Sequence, residues 1–171
     1  MSSPVVGYMA SCFIFLIIIK NSLWISVKSN QHKMRTLATF ENIMVAPCGM
    51  NCGTCIAYLR EKKKCPGCRI YSAEKSISVQ RCIIQKCAYL ERTSSKFCYD
   101  CEKFPCLRLK QLDKRYRTRY RTSFIENLMM IKEKGIDSFL AFESKRRTCP
   151  DCGSVISVHR DSCQICLKNS E

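Results

Sequence analysis

Residues 46–55 read APCGMNCGTC, and the close cysteine spacing that ends this stretch returns four more times along the chain. Two residues separate the members of each pair, so one tight turn can aim both sulfurs at the same metal ion. Disulfide frameworks of secreted domains instead scatter single cysteines at varied intervals. The pattern therefore predicts metal sites. The five pairs are Cys52/Cys55, Cys65/Cys68, Cys98/Cys101, Cys149/Cys152 and Cys163/Cys166.

Composition and charge support this interpretation and indicate the kind of partner. Cysteine accounts for 15 of the 171 residues, and the formal net charge is +15 at pH 7. Each four-cysteine zinc site contributes about −2, because four thiolates outweigh one Zn²⁺, so three such sites would leave a charge of about +9. A protein this basic is expected to bind an anionic partner, either nucleic acid or an acidic protein surface.

The chain divides into three parts. An apolar segment occupies residues 1–33, a cysteine-rich metal-binding domain with a helical second half occupies residues 45–146, and a zinc-ribbon-like module occupies residues 147–171. The predicted fold is small, metal-stabilised and mainly α-helical with irregular loops. It combines zinc knuckles, a helical connector and a C-terminal zinc ribbon with a short β-hairpin around Val155–Val158.

The N-terminal segment has two interpretations. Residues 4–27 are strongly apolar, but Lys20 interrupts them before they reach the roughly 20 residues of a membrane span. If they insert, the basic residues that follow keep the cysteine domain on the cytoplasmic side. Alternatively, translation begins at Met34 or Met44. Both interpretations place the working domain in the cytoplasm, and Cys12 is then a small hydrophobic residue of the apolar run.

Local signals in the connector predict three helices. The first begins near Pro105, where helices often start, and the second begins at a capping box formed by Ser123 and Glu126. Gly135 suits the C-terminal cap of the second helix. The third is expected from about Asp137 to Arg146. The apolar seam of the first helix contains Leu109, Leu112, Tyr116 and Tyr120, and the third is expected to bury Phe139 or Leu140 together with Phe142.

The C-terminal module carries the most specific metal signal. Its two paired turns are CPDC at 149–152 and CQIC at 163–166, and Gly153 frees the backbone directly after the first turn. Two such turns joined by a short hairpin are typical of a zinc ribbon with one tetrahedral site. Iron in a rubredoxin-like setting is the alternative, because it takes the same four ligands.

The ten cysteines of residues 45–106 allow several groupings. One predicted site joins Cys52/Cys55 with Cys65/Cys68. Another joins Cys98/Cys101 with Cys87 and with either Cys106 or Cys82. Cys82 and Cys87 lie about 140° apart on an ideal helix, so a helix has to start between them if both are ligands. Two four-cysteine sites leave two spare thiols, predicted to be Cys48 and Cys82, unless sulfurs are shared in a cluster.

The spacing Cys48-x3-Cys52-x2-Cys55 supports a different cofactor. Radical S-adenosylmethionine enzymes use this spacing to hold a [4Fe–4S] cluster, although this chain is too short and too poor in βα alternation for their barrel. An iron–sulfur or redox protein is therefore the alternative function. The principal interpretation is about three structural zinc ions. The complete set of predicted ligands is Cys48, Cys52, Cys55, Cys65, Cys68, Cys82, Cys87, Cys98, Cys101, Cys106, Cys149, Cys152, Cys163 and Cys166.

The motifs also resemble a known family. APCGMNCGTC at 46–55, CPGCR at 65–69, Cys82 with Cys87-Ala88, and FCYDC at 97–101 running to FPC at 104–106 are similar to the domain of unknown function 3795 family. This family comprises small cysteine-rich proteins of mainly anaerobic archaea and bacteria. The resemblance covers roughly residues 45–145, with the ribbon as a frequent C-terminal addition. It implies metal binding and no established activity.

The first predicted helix is strongly basic. Seven of the residues from Leu107 to Arg121 are Lys or Arg, against the single acid Asp113. A helix places Lys110, Lys114, Arg117 and Arg121 on one side, where they could follow a phosphate backbone. Tyr116 and Tyr120 could stack on bases, but their place on the apolar seam favours a core role.

The sequence leans against an enzyme. The two histidines, His32 and His159, are interpreted as surface residues, and no nucleophile and base can be paired from the sequence. Four-thiolate zinc also lacks the open position that a catalytic site needs. No small-molecule substrate can be identified. The predicted function is a zinc-stabilised module that binds nucleic acid or protein, with a membrane contact only if residues 4–27 form a genuine anchor.

Overall fold

The computed structural model describes residues 36–168, which are mainly helical. Three longer helices form the second half, and the cysteine-rich first half contains short helices and turns. The helices are α1 (Ile56–Leu59), α2 (Ile77–Gln80), α3 (Ala88–Glu91), α4 (Leu107–Tyr120), α5 (Phe124–Lys134), α6 (Ile136–Arg147) and α7 (Gln164–Lys168), with 3₁₀ turns at Asn42–Met44, Cys52–Thr54 and Cys98–Asp100. The predicted small, mainly helical, cysteine-rich fold is thus confirmed.

The boundary between α4 and α5 is built around two side-chain caps. The Ser123 hydroxyl accepts a hydrogen bond from the Glu126 N–H at 3.1 Å, as the capping box predicts. Asp113 of α4 reaches the same corner, where its carboxylate accepts hydrogen bonds from Ser123 Oγ at 2.8 Å and from the Ile125 N–H at 3.0 Å. Gly135 ends α5, which confirms the predicted C-cap. Local capping hydrogen bonds therefore define the ends of these helices, and the buried carboxylate of Asp113 links α4 to the start of α5.

The third long helix differs from its prediction in one core residue. It runs over Ile136–Arg147 and buries Phe139 and Leu140, but Phe142 is 40% exposed. The inward position is taken by Glu143, whose carboxylate pairs with the Arg146 guanidinium. That guanidinium also lies over the Phe142 ring, 4.8 Å from its centroid. The predicted burial of Phe142 is wrong because a buried ion pair occupies the turn that it would have filled.

Two small apolar clusters join the cysteine region to the helices. Val45, Leu109, Leu128 and Phe139 are all completely buried in the first cluster. The second cluster connects the first cysteine loop and the base of the C-terminal module to the start of α5. Its buried members are Ala46, Met50, Cys52, Phe124 and Val158.

Gly49 allows the first cysteine loop to lie directly against α5. Its φ is +85°, and a Cβ there would stand 2.8 Å from the Phe124 carbonyl oxygen and 2.9 Å from Leu128 Cγ. The Gly49 carbonyl in turn accepts a hydrogen bond from Asn127 Nδ2 at 2.9 Å. The loop that carries Cys48 and Cys52 is therefore held to the helical half by a contact that only glycine permits.

The predicted hairpin around Val155–Val158 is not formed. The described part of the chain contains no β-strand, only isolated bridges between Val45 and Asn51 and between Thr148 and Val155. The Ile156 N–H still donates to the Arg147 carbonyl at 2.7 Å, but the Val158 N–H donates to the Thr54 carbonyl at 2.8 Å. The hairpin prediction is wrong because pairing within the module stops at Ile156, and Val158 bonds to the first cysteine loop.

Among residues 36–168, no helix is long and apolar enough to cross a membrane. The apolar stretch at residues 4–27, the alternative start at Met34, Cys12 and His32 lie outside the described residues.

Candidate metal centres

The four cysteines of the C-terminal module converge on one point. Sulfur–sulfur distances are 3.7 Å between Cys149 and Cys166 and 3.5 Å between Cys152 and Cys163. Four sulfurs about 2.3 Å from a tetrahedral zinc ion lie about 3.8 Å apart, whereas a disulfide would bring two of them to about 2.0 Å. The spacing thus fits four thiolates around one metal ion and does not fit disulfides.

Backbone hydrogen bonds hold each paired turn in the shape that this site needs. The Gly153 N–H donates to the Cys149 carbonyl at 3.0 Å, and the Cys149 N–H donates to the Ser154 carbonyl at 2.8 Å. Gly153 has φ +76°, in agreement with its predicted role after the first turn. On the second turn, α7 begins directly after Cys163. Both cysteine pairs are therefore positioned by local structure.

Electrostatics within this group favour a shared metal over four independent thiols. Hydrogen bonds from Ser154 lower the pKa of the exposed Cys152 to about 6. Hydrogen bonds with Cys152 and Cys149 raise the pKa of Cys166, and charge repulsion from Cys149 adds to the rise. A metal cation removes this repulsion by binding all four thiolates at once. The residues present fit Zn²⁺, and iron takes the same donor set.

A second neighbourhood contains five cysteines around the 3₁₀ turn at Cys52–Thr54. The Cys68 N–H donates to Cys52 Sγ at 3.2 Å, and a hydrogen bond from the Cys68 thiol lowers the pKa of Cys52. The same bond raises the pKa of Cys68. Burial raises the pKa of Cys48, and the neighbouring Cys68 adds to that rise. Burial also raises the pKa of Cys55, with a contribution from Cys65.

A third neighbourhood lies around the 3₁₀ turn at Cys98–Asp100. Burial raises the pKa of Cys98 to about 12, and the charges of Cys106, Cys87, Cys101 and Cys82 add to the effect. The chain forms turns between the end of α2 at Gln80 and the start of α3 at Ala88. Cys82 and Cys87 therefore do not share a continuous helix. An ideal helix would have pointed them about 140° apart, so this irregular segment removes that obstacle to their binding the same ion.

The three neighbourhoods differ in how tightly they are gathered. Within residues 36–168, the four cysteines of the C-terminal module are the one group of three or more ligand residues whose ligand atoms all lie within 4.8 Å of one another. Cys48, predicted as a spare thiol, lies near Cys68, Cys98 and Cys82 and so borders both other neighbourhoods. The ligand sets of the ten cysteines from Cys48 to Cys106 remain predictions.

Arg69 connects these two neighbourhoods and was not singled out from the sequence. Its Nε donates to the Val45 carbonyl at 2.6 Å, and its guanidinium lies over the Phe97 ring, 4.4 Å from the centroid. Burial lowers the pKa of Arg69, while the nearby Cys52 and Cys48 charges oppose that shift. Arg69 therefore places a positive charge next to several cysteine thiolates. The only sequence feature that could have marked Arg69 is its position directly after the CPGC turn.

His159 was predicted to be a surface residue, but it is half-buried and makes contacts on both ring nitrogens. Its Nδ1 accepts a hydrogen bond from the Ile56 N–H at 3.4 Å, and its Nε2 lies 3.1 Å from the Tyr116 hydroxyl. Burial lowers the pKa of His159, with a contribution from the charge of Arg147. His159 therefore links the C-terminal module to α1 and to α4, a role that no local pattern in the sequence marks.

The basic residues of α4 are exposed, and most have no acidic partner. Lys110, Lys114, Arg117 and Arg121 all face solvent. Only Arg117 of these forms ion pairs in the described part of the chain, with Asp113 at 3.0 Å and Glu126 at 3.6 Å.

The two tyrosines of α4 belong to an aromatic cluster. The Tyr116 ring lies 4.5 Å from Phe124 and 5.1 Å from Tyr120, measured between centroids. Both tyrosines are half-buried and pack on the second apolar cluster. They are core residues, as their place on the apolar seam indicated.

Comparison with known proteins identifies one part of the chain. Residues 44–111 match the sequence model of a family described as protein of unknown function (DUF3795). The match begins just before the APCGMNCGTC stretch and ends in the first turns of α4. It confirms the resemblance drawn from the cysteine motifs, over a shorter range than expected. No curated protein and no solved structure matches the chain.

Proposed function

Given that residues 44–111 match the family model of DUF3795, we propose that the chain is a metal-stabilised module that binds nucleic acid. The C-terminal four-cysteine group holds a structural Zn²⁺, and the exposed face of α4 contacts phosphates. The observation that carries the proposal is that α4 presents a row of exposed cations with no acidic partner. In the described residues these unpaired cations are Arg108, Lys110, Lys114, Arg115, Arg119 and Arg121.

The arrangement of charge on α4 favours a long anionic partner. Its 14 residues make a rod about 21 Å long, which spans several phosphates of a nucleic-acid backbone. The one acid of the helix, Asp113, is buried in the cap of α5 and so does not neutralise the surface. Lys110 and Lys114 lie about one turn apart on one side of α4, and Arg121 follows at its C-cap. Such a row attracts phosphate without reading base sequence.

The metal site has a supporting role in this proposal. Four thiolates close the coordination sphere of zinc, so the site offers no open position for a substrate. The module that it stabilises contacts α4 through Tyr116 and His159, and thereby holds the basic helix on the domain. Metal-bound thiolates require a reducing environment, so we assign the cysteine domain to the cytoplasm.

A salt titration tests the proposal. Binding of the full chain to mixed-sequence duplex and single-stranded oligonucleotides is measured by fluorescence anisotropy at several salt concentrations. We expect an affinity that falls steeply with salt. We also expect the triple variant Lys110→Ala/Lys114→Ala/Arg121→Ala to reduce the slope of log K against log salt by about three.

A charge-matched control separates a specific surface from general basicity. Lys86, Lys134 and Lys145 are exposed lysines outside α4, and their triple alanine variant removes the same charge. The proposal holds if the α4 variant binds at least tenfold more weakly than this control. Salt-insensitive or absent binding, or equal losses in both variants, would refute it and favour an acidic protein partner.

A further inference from the structure

Four of the cysteines in the third neighbourhood surround a pocket. Cys87, Cys98, Cys101 and Cys106 all line this pocket, which is partly open to solvent. The deeper wall is formed by the buried side chains of Ile84, Leu90 and Leu109. Cys82, which is close enough to affect the charge on Cys98, does not line the pocket. Of the five cysteines in this neighbourhood, four therefore line the pocket and one does not.

The spacing of these cysteines differs from that of the C-terminal site. There, sulfur–sulfur distances of 3.5 and 3.7 Å match the edges of a tetrahedron around one ion. Around the pocket, no three ligand atoms lie mutually within 4.8 Å, since the C-terminal group alone meets that limit in the described chain. One zinc ion would need all four sulfurs about 3.8 Å apart. A polynuclear cluster holds its cysteine sulfurs farther apart, because bridging sulfides and several iron atoms fill the space between them.

The pocket wall has the chemistry that such a cluster needs. Iron–sulfur clusters are commonly bound by four cysteine thiolates, and their reduction potential depends on net charge, hydrogen bonds to the sulfurs and solvent exposure. The first turn of α4 borders the pocket through Arg108 and Leu109, directly after its N-cap Cys106. The partial positive charge of this helix end favours thiolate and cluster charge. Arg108 and Lys103 add full positive charges at the pocket.

The order of the ligands along the chain agrees with this geometry. Cys98-x2-Cys101-x4-Cys106 supplies three closely spaced cysteines, and Cys87 supplies a fourth from a separate turn. Plant-type ferredoxins use the spacings x4 and x2 in the opposite order, with their fourth cysteine also remote. Three local ligands on one folded turn position the cluster, and the remote fourth ties it to the rest of the domain.

We propose that Cys87, Cys98, Cys101 and Cys106 bind an iron–sulfur cluster in this pocket, while the C-terminal group binds zinc. The cluster proposal is tested independently of the nucleic-acid proposal, because its ligands are cysteines and its test requires no oligonucleotide. The chain then has two metal sites of different chemistry, and the more widely spaced thiols hold the larger cofactor.

The test measures iron, acid-labile sulfide and zinc in the full chain. Protein purified without oxygen, and protein reconstituted with ferrous iron and sulfide, are compared with Cys101→Ser and Cys106→Ser. We expect iron and sulfide in equal amounts and a broad absorption near 400 nm, both reduced several-fold in these two variants. Zinc without labile sulfide in the parent protein, even after reconstitution, would overturn the proposal.

Three further serine variants locate the cluster. Cys82→Ser should keep its iron, since Cys82 does not line the pocket. Cys152→Ser should lose zinc and keep its iron. If Cys55→Ser loses all the iron while Cys101→Ser retains it, the cluster belongs to the second neighbourhood and the assignment is wrong.

Thiol mapping on the parent protein keeps the proposal testable if a serine variant fails to fold. Alkylation before and after an iron chelator bleaches the absorption identifies the thiols that iron had protected. Protection of Cys87, Cys98, Cys101 and Cys106 supports the site, and protection confined to other cysteines refutes it.

Discussion

The hydroxyl of Tyr116 in α4 lies 3.1 Å from Nε2 of His159 in the C-terminal module. The opposite nitrogen of the same ring accepts a hydrogen bond from the Ile56 N–H at the start of α1. Burial raises the pKa of Tyr116 to about 12, with contributions from the Cys55 and Cys48 charges. Tyr116 therefore remains a neutral hydrogen-bonding group at physiological pH. One histidine thereby joins a helix, a cysteine loop and the C-terminal module.

This junction predicts a pH-dependent stability. Burial lowers the pKa of His159 in the folded state, so the unfolded chain binds a proton more readily. The contribution of His159 is complete above the unfolded pKa of about 6.5 and is lost as pH falls below it. We expect the free energy of unfolding of the parent to decrease from pH 7.5 to 5.5 with a steeper slope than that of His159→Gln. Chemical denaturation at several pH values measures the difference.

The second histidine provides the matched control. His32 lies outside the described residues, and His32→Gln should reproduce the slope of the parent protein. Parallel pH curves for the parent and His159→Gln would contradict the prediction.

Gly49→Ala should destabilise the domain through a steric clash as well as backbone strain. The added Cβ meets the Phe124 carbonyl oxygen at 2.8 Å, and φ is +85°. We expect a loss of about 2–4 kcal/mol, combining left-handed strain with overpacking. Gly135→Ala is the control, because its φ is +83° but nothing lies within 4 Å of its Cβ. Urea denaturation should show the larger loss at Gly49, and equal losses would exclude the packing contribution.

Asp113→Ala should weaken the corner between α4 and α5. The buried carboxylate accepts hydrogen bonds from Ser123 Oγ, the Ile125 N–H and the Arg117 guanidinium. Its removal takes this acceptor from the buried Ser123 hydroxyl and the partly buried Ile125 N–H, so we expect a loss of about 2–3 kcal/mol. The exposed Asp137 in the first turn of α6 offers a control of the same residue type. An Asp137→Ala variant as unstable as Asp113→Ala in a denaturant titration would argue against a special role for the buried acid.

Cys163→Ser should remove one bound metal ion per chain and destabilise the C-terminal module. Cys163 is buried and lies 3.5 Å from Cys152 Sγ, so the substitution takes a ligand from the centre of the group. Structural zinc supplies about 10–16 kcal/mol in small zinc modules, and its loss is expected to unfold the module. Native mass spectrometry counts the ions. Cys12→Ser should keep the full count, and an unchanged count in Cys163→Ser would rule out this metal site.

Much of the helical half could be predicted because its signals are local. The Ser123 and Glu126 capping box and the Gly135 cap act within a few residues of the helix ends that they define. The expected range Asp137–Arg146 for the third helix lies within one residue of its observed ends, Ile136 and Arg147. These features depend on short-range hydrogen bonds, which the identity of neighbouring residues specifies.

The predictions that failed depended on side-chain and backbone contacts that the periodic pattern of the sequence does not show. Phe142 and Glu143 are adjacent in the chain, and only the pairing of Glu143 with Arg146 explains why the acid is buried and the ring exposed. The hairpin was replaced because Val158 bonds to Thr54, more than a hundred residues earlier. Gly49 and His159 also act through long-range contacts that no spacing rule describes.

The amino-acid sequence by itself determined the paired cysteines, the ends of the long helices and the DUF3795 motif, because each depends on residues close together in the chain. Tertiary structure decided which thiols converge. It gathered Cys149, Cys152, Cys163 and Cys166 at single-ion spacing, and it arranged Cys87, Cys98, Cys101 and Cys106 around an apolar pocket. The distance between two sulfurs on different turns is set by the packing of the segments between them, and the spacing of cysteines along the chain does not encode it.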